Sequence, residues 1–214
     1  MRKAGAVFLV VIFIGVFIIG CAPKTDEEIY YQSQKLLNKI DSYHCTVRIK
    51  VFGNRDPQEY RMIQWFRNPD QYKLEIIEPE SLKGNITLSD GKRAWIYHPG
   101  IEETWMMEDF RNSEKQNMFL GYFIKNCLES EDAILSREKL NNEEYLLIET
   151  SIPGNHAYFN KEKLWFHIED LKPYKLQVID IKEQVRIQVW YEDFEYNPKL
   201  DENFFHISGN GRSE

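Results

Sequence analysis

From residue 42 onward, apolar and polar residues alternate with a period of two in a series of short runs. The runs are separated by turn-forming residues such as Asn68-Pro69-Asp70, Asp90-Gly91 and Pro99-Gly100. Because successive side chains of a strand point to opposite faces, this pattern predicts half-buried β-strands joined by tight turns. The predicted strands are 46–51, 60–67, 72–78, 93–98, 104–107, 143–150, 163–168, 174–181 and 185–194.

Two segments have a different period and are predicted to be helices. Thr25-Asp26-Glu27-Glu28 has the form of a capping box, and the apolar residues behind it recur at helical spacing to about Asp41. Residues 113–128 have a broad apolar face. Helices do not alternate with the strands, so a parallel sheet is not expected. The predicted fold class is therefore mainly antiparallel β with helices (α+β), as a curved sheet or open barrel.

The first 21 residues have the layout of a secretory signal, with Arg2 and Lys3 before a long apolar run. The run is close to the roughly 20 residues that a membrane-spanning helix needs, so an uncleaved anchor is an alternative. However, Ile18, Gly20 and Cys21 resemble the bacterial lipobox, in which the cysteine sulfur receives a diacylglyceryl group before cleavage. We therefore predict a signal peptide at 1–20 and a lipid-anchored protein on the extracytoplasmic face of the membrane, with Cys21 carrying diacylglycerol and an N-acyl group.

The remainder is predicted to form a tether at 21–24, a single domain at 25–207 and a flexible tail at 208–214. The formal net charge is -7, which argues against a basic groove for nucleic acid. Cys45 and Cys127 could pair in an oxidising compartment, but two distant thiols are not a disulfide framework, and buried free thiols are favoured.

Motifs of catalysis and metal binding are not found in the sequence. The five histidines are dispersed without His-Glu-x-x-His spacing, and the sequence has no Gly-x-Ser-x-Gly motif. His44 and Cys45 are neighbours on a predicted strand, so their side chains point to opposite faces and do not readily form a nucleophile pair. We predict no enzymatic activity, no catalytic or metal-binding residues and no cofactor.

Aromatic residues are frequent on the predicted strands, where they either fill an ordinary core or line a cavity. The segment Leu88-Ser89-Asp90-Gly91-Lys92-Arg93-Ala94-Trp95-Ile96-Tyr97-His98-Pro99, preceded by Trp65-Phe66-Arg67-Asn68-Pro69, resembles the hairpin of the lipoprotein-carrier (LolA/LolB-like) family. In this segment Trp95 and Tyr97 fall on one strand face. More loosely, the resemblance extends over nearly the whole mature chain.

The resemblance implies an incomplete, strongly curved β-barrel with a helical lid, whose apolar cavity receives an acyl chain or a lipoprotein. The candidates for the cavity and the lid are Trp65, Trp95, Tyr97, Trp105, Phe119 and Phe123. This chain departs from the soluble carrier at Cys21, which fits an anchored acceptor better. It also has Asn68 before the turn proline, where the carrier has an arginine that helps to hold the lid, and Arg67 lies one residue earlier on the opposite face.

A second branch of the resemblance leads to anchored germination lipoproteins of spore-forming bacteria (GerS-like), which partner a cell-wall amidase. The sequence thus supports two functions. The first is a membrane-anchored acceptor that binds an acyl chain or lipoprotein. The alternative is that the protein is a scaffold or activating partner of a cell-wall hydrolase and transfers no lipid.

Overall fold

A computed structural model describes residues 25–108, 118–130, 132–205 and 212–213. The predicted signal peptide at 1–20, Cys21 and the tether at 21–24 lie outside the described residues, as does most of the tail predicted at 208–214. Neither helix in the described ranges is long and apolar enough to cross a membrane.

The described chain forms twelve strands and two α-helices. The strands are β1 (Ser42–Val51), β2 (Gln58–Arg67), β3 (Gln71–Glu78), β4 (Ile86–Ser89), β5 (Ala94–His98), β6 (Glu103–Met107), β7 (Ile134–Leu140), β8 (Glu143–His156), β9 (Phe159–His167), β10 (Pro173–Ile179), β11 (Val185–Tyr196) and β12 (Arg212–Ser213). The helices are α1 (Asp26–Leu37) and α2 (Leu120–Glu129), and a short 3-10 helix covers Glu80–Leu82.

All strands belong to one sheet in the order β12-β6-β5-β4-β3-β2-β1-β11-β10-β9-β8-β7. Each pair is antiparallel except β12 with β6, which run parallel. The two ends of this order are not paired with each other among the described residues, so the sheet is curved but unclosed. The prediction of a mainly antiparallel, incomplete barrel with helices is confirmed.

The start of α1 follows the predicted capping box. The Thr25 hydroxyl accepts a hydrogen bond from the Glu28 N–H, and the Glu28 carboxylate accepts one from the Thr25 N–H. The helix ends at Leu37 rather than near Asp41, because Asn38 caps its last turn. Helix α2 begins at Leu120, and residues 113–117 of the predicted second helix lie outside the described ranges.

The sheet has two faces with different surroundings. The concave face is defined on β1 by Tyr43, Cys45, Val47 and Ile49, which are all buried in a core shared with both helices. The outer face is the opposite one, and on β1 it carries Arg48. Since residues directly opposite on neighbouring strands share a face, the strand register assigns every other strand residue to one face or the other.

Candidate functional site on the concave face

Helices α1 and α2 fill the concave side of the sheet. In α2 and its cap, Phe119, Leu120 and Phe123 are at most 1% exposed, while in α1 Ile29 is 1% and Leu37 is 3% exposed. These side chains form one apolar cluster with the concave-face residues of the strands. In the described part of the chain, the space under the helices is therefore occupied by the protein's own side chains.

The start of α2 is held by a buried hydrogen-bond chain. The Leu120 N–H donates to the Tyr43 hydroxyl at 3.1 Å, and this hydroxyl donates to Gln64 Oε1 at 3.2 Å. Burial raises the pKa of Tyr43 well above its usual value, so the hydroxyl stays neutral. The chain satisfies one of the helix N–H groups that have no partner within the helix.

Close packing fixes the same end of α2. Gly121 lies against the ring of Phe66, and a β-carbon at this position would be 2.0 Å from Phe66 Cζ. The ring is itself stacked on Tyr43, with centroids 5.3 Å apart. Only glycine therefore lets α2 approach β2 this closely.

A carboxyl group lies buried under the other end of α2. Glu162 of β9 is 0% exposed, and its Oε1 accepts a 2.7 Å hydrogen bond from Asn126 Nδ2. The Glu162 Oε2, Thr150 Oγ1 and Tyr191 hydroxyl oxygens are buried without a hydrogen-bond partner among the described residues. Burial raises the pKa of Glu162 to about 8, against the lowering effect of the Asn126 hydrogen bond. At neutral pH the group is mostly a neutral acid.

An open cleft of about 630 Å³ runs between the end of α1, α2 and the β2–β3 turn. Its floor is partly apolar, and its rim carries charges of both signs. The lining residues are Leu37, Asn38, Ile40, Phe66, Asn68, Pro69, Asp70, Gly121, Tyr122, Ile124, Lys125, Leu128 and Glu129.

Three of the predicted cavity and lid residues lie on the concave side. Phe119 and Phe123 are buried among the core residues. Trp105 of β6 is opposite Ile96, on the same face as Gln64, and is partly exposed. A contact between any of them and a ligand stays a prediction.

The other three predicted lining residues, Trp65, Trp95 and Tyr97, are on the outer face, which corrects the expectation. Trp65 packs against His44 and Phe204, with ring centroids 5.1 and 5.7 Å away. The cross-strand register places Trp95 on the same face as Trp65, and Tyr97 is two residues further along β5. The period of two correctly puts Trp95 and Tyr97 on one face, but aromatic residues occur on both faces of this sheet.

Arg67 also faces outward and holds the C-terminal segment 200–205 against the sheet. Its Nη2 donates hydrogen bonds to the carbonyl oxygens of Leu200 and Asp201, and its guanidinium lies 5.0 Å from the Phe205 ring centroid. Phe205 is fully buried. The arginine thus contacts the C-terminal segment, on the face opposite to the helices.

Neither cysteine of the folded part is in a disulfide. Cys45 is buried and Cys127 is partly buried, and both are free. Burial, followed by the nearby Glu162 carboxyl, raises the pKa of Cys127 to about 11. Across the described ranges, no group of three or more His, Cys, Asp and Glu side chains is placed to hold a metal ion.

The buried polar groups are not evident from the sequence, and Glu162 is the clearest case. Between Lys161 and Lys163 it reads as part of a solvated charged run. The same period of two could have identified it. Glu162 lies two residues before Leu164 and four before Phe166, which are both buried, so the alternation places it on the buried face.

The outer face carries a row of tryptophans and cations across four strands. In the strand register Trp165, Lys175, Trp190 and Arg48 lie opposite one another in turn. The Lys175 ammonium is 3.8 Å from the Trp165 ring centroid, and the Arg48 guanidinium is 4.3 Å from that of Trp190. We call these four residues the outer row.

Comparison with known families matches residues 2–205 to the model described as sporulation protein YdcC-like. The chain belongs to the YdcC-like family of sporulation proteins. Sporulation protein YdcC of Bacillus subtilis (strain 168) is 19% identical over 207 residues, covering 96% of this chain and 60% of the relative. The chain thus spans 60% of the length of this YdcC-like relative.

Two further comparisons link this YdcC-like chain to the families that it resembles. An outer-membrane lipoprotein carrier protein of Cronobacter sakazakii is 24% identical over 128 residues, which is 58% of each chain. The solved structure of the CwlD amidase from Clostridioides difficile in complex with the GerS lipoprotein contains a chain that is 33% identical. The match covers 84% of this chain and 100% of that one, with a TM-score of 0.49. The predicted LolA/LolB-like and GerS-like resemblance is confirmed.

Proposed function

We propose that this chain is a lipid-anchored, non-enzymatic scaffold on the extracytoplasmic face of the cell membrane that binds a cell-wall amidase. The observation that carries the proposal is the filled concave side. A carrier needs an apolar space for an acyl chain, whereas here the side chains of Phe119, Leu120 and Phe123 fill the space between α2 and the sheet, and the other end of α2 covers the Glu162 carboxyl. Burying an acyl chain against a polar group that lacks a partner is unfavourable.

The relationships of the chain support the same function. It belongs to a family of sporulation proteins, and its sequence is 33% identical to a chain of a solved amidase–lipoprotein complex. Cell-wall amidases act outside the plasma membrane, where a protein lipidated at Cys21 would be held. Anchoring by more than one acyl chain keeps a protein stably on the membrane surface.

We assign amidase binding to the outer row. Trp and Arg are the residue types that most often dominate binding energy at protein interfaces. The Arg48 side chain is 46% exposed and forms a 3.8 Å ion pair with Glu59, which is itself half-exposed, so a partner carboxylate would have to compete with or share this pair. A partner surface with acidic residues around an apolar centre would complement the row.

The test is a binding titration between the purified full chain and the purified sporulation amidase of the same organism, followed by biolayer interferometry. We expect a saturable complex, and we expect the double variant Arg48→Glu, Trp190→Ala to weaken it at least tenfold, since loss of a central anchor typically costs about 2 kcal/mol or more. Lys92→Glu, on the exposed β4–β5 turn, is the matched control and should bind normally.

The two possible failures are distinct. If the unmodified chain does not bind the amidase, the scaffold function is wrong. If the double variant binds as tightly as the unmodified chain and is equally stable, only the outer-row assignment is wrong.

The 630 Å³ cleft favours a second candidate function, the binding of an acyl chain or lipoprotein. Pockets of this size are typical of small-molecule sites. Native mass spectrometry of the gently purified full chain would then show bound lipid, and Leu128→Glu at the cleft should reduce its occupancy. Tyr31→Glu, at an exposed position of α1 outside the cleft, is the matched control. A spectrum free of non-covalent lipid in the unmodified chain would exclude this function.

A further inference from the structure

Among the described residues, two buried polar contacts join α2 to the sheet, and one of them involves an ionisable group that titrates near neutral pH. At the start of the helix, Leu120 N–H donates to the Tyr43 hydroxyl. Near its end, Asn126 donates to the Glu162 carboxyl. Apolar contacts with the core, through residues such as Phe123 and Ile124, add to these two.

The surroundings of Glu162 contain no compensating positive charge within the described ranges. Thr150 of β8 and Val178 of β10 lie directly opposite it on the neighbouring strands. Asn126 and Cys127 face it from α2, and Tyr191 faces it from β11. Its sequence neighbours Lys161 and Lys163 point to the outer face, where both contact Glu149.

We propose that the buried Glu162 carboxyl under Asn126 is a proton-sensitive latch: the C-terminal half of α2 stays on the sheet while the carboxyl is neutral, and it is released when the carboxyl is ionised, because the cost of burying the charge exceeds the gain in the Asn126 hydrogen bond. In the latched state the carboxyl keeps its proton. On release, the proton passes to a base in the solvent and leaves a carboxylate. Its Oε2 has no hydrogen-bond donor among the described residues.

An ionised carboxylate at this position has to reach water, because an unpaired buried charge is strongly unfavourable. Strands β8 and β10 flank Glu162 and are held by continuous backbone hydrogen bonds to β9. In the part of the chain that the structure describes, the C-terminal half of α2 is held to the sheet by one side-chain hydrogen bond and by apolar contacts. Separation of this half of the helix is therefore the least costly way to hydrate the carboxylate.

The other titratable groups at this position do not compete with Glu162. Burial, followed by the nearby Glu162, raises the pKa of Cys127 to about 11. Burial also raises the pKa of Tyr191 well above its usual value. As the pH rises, Glu162 is the first of the three to lose its proton, with a pKa of about 8.

The latch would make access to the concave side depend on pH. Its release uncovers the Thr150 and Tyr191 hydroxyls, which have no hydrogen-bond partner in the described structure. This inference is independent of amidase binding, which we assign to the opposite face.

Hydrogen–deuterium exchange of the purified full chain tests the latch. Peptides from α2 are compared between the unmodified protein and Glu162→Gln at each pH from 6 to 9, so that the pH dependence of intrinsic exchange cancels. We expect equal exchange at pH 6 and roughly tenfold faster exchange in the unmodified protein at pH 9, one unit above the pKa of Glu162. Glu149→Gln, which removes a carboxylate from the outer face, should exchange like the unmodified protein.

Two results would overturn the latch. One is equal α2 exchange in the unmodified protein and Glu162→Gln at pH 9. The other is a parallel rise with pH in the exchange rates of α2 and β1, which would mean global unfolding. If Glu162→Gln does not fold, the ratio of α2 to β1 exchange in the unmodified protein decides: a ratio that rises toward pH 9 supports the latch, and a constant ratio overturns it.

Discussion

At Gly121, helix α2 approaches the sheet so closely that the ring of Phe66 occupies the space where a side chain would begin. The ring cannot move away easily, because it packs against Tyr43, Phe119 and Tyr122. We expect Gly121→Ala to lower the free energy of unfolding by about 1–3 kcal/mol, the usual cost of overpacking. Urea denaturation measures this change.

Gly53 provides the control for this substitution. Apart from its two chain neighbours, no heavy atom of the described residues lies within 4 Å of the position that its β-carbon would take. Gly53→Ala should therefore leave the urea midpoint almost unchanged. Equal effects of the two substitutions would show that the contact between Gly121 and Phe66 is not what fixes the helix.

Glu162 should make the stability of the protein depend on pH. Its folded pKa of about 8 lies above its usual value of 4.5. Between these two values the folded protein holds the proton and the unfolded chain does not, so the free energy of unfolding falls as the pH rises. We expect Glu162→Gln to remove this slope between about pH 4.5 and 8, measured by urea denaturation at several pH values. An unchanged slope in the variant would contradict the burial of a neutral carboxyl.

Individual residues also show which features could not be predicted from the sequence. Alternation tells which side chains share a face, as for Trp95 and Tyr97, but it does not tell which face is covered by helices. Both faces here carry aromatic residues, so Trp65 was wrongly expected inside. The error for Glu162 is the opposite one: a charged residue between two lysines is expected to be solvent-exposed, but Glu162 is buried.

At the scale of elements, the buried Tyr43 hydroxyl links β1, β2 and the start of α2. We expect Tyr43→Phe to lower the free energy of unfolding by about 1–3 kcal/mol, because it leaves the buried Leu120 N–H without a partner and leaves Gln64 Oε1 with only the weak Cys45 thiol contact at 3.9 Å. Hydrogen exchange at the start of α2 should increase at the same time. Tyr60→Phe, which removes an exposed hydrogen bond to Gln58, is the control and should have little effect. Similar losses in both variants would rule out a special role for Tyr43.

Most elements could be predicted from the sequence, and three strands were missed: β4, β7 and the two-residue β12 (Arg212–Ser213), which lies in the segment predicted as a tail. Strand β4 (Ile86–Ser89) has only four residues, which is too short for a clear alternation. Strand β7 (Ile134–Leu140) is at the edge of the sheet and mostly exposed, so few of its residues need to be apolar. Its pairing with β8, rather than its own pattern, makes it a strand.

At the scale of the whole molecule, the proposed lipid anchoring depends on one residue, Cys21, which lies outside the described ranges. We expect Cys21→Ser to abolish incorporation of labelled palmitate and to remove most of the protein from the membrane fraction, unless an uncleaved signal retains it. Cys127→Ser, at a free thiol of the folded domain, should incorporate palmitate normally. Undiminished labelling of Cys21→Ser would exclude lipidation at this position.

The sheet order also has a consequence for biogenesis. Strand β1 pairs on one edge with β2, which follows it directly, and on the other edge with β11, where Tyr43 is opposite Tyr196. A chain that emerges N-terminus first can form the β1–β2 hairpin early, while the second edge of β1 stays unpaired until residues 185–196 have emerged. During this interval unpaired backbone groups on β1 can join strands of other nascent molecules. Correct folding of this protein should therefore depend on keeping the second edge of β1 protected until residues 185–196 have emerged.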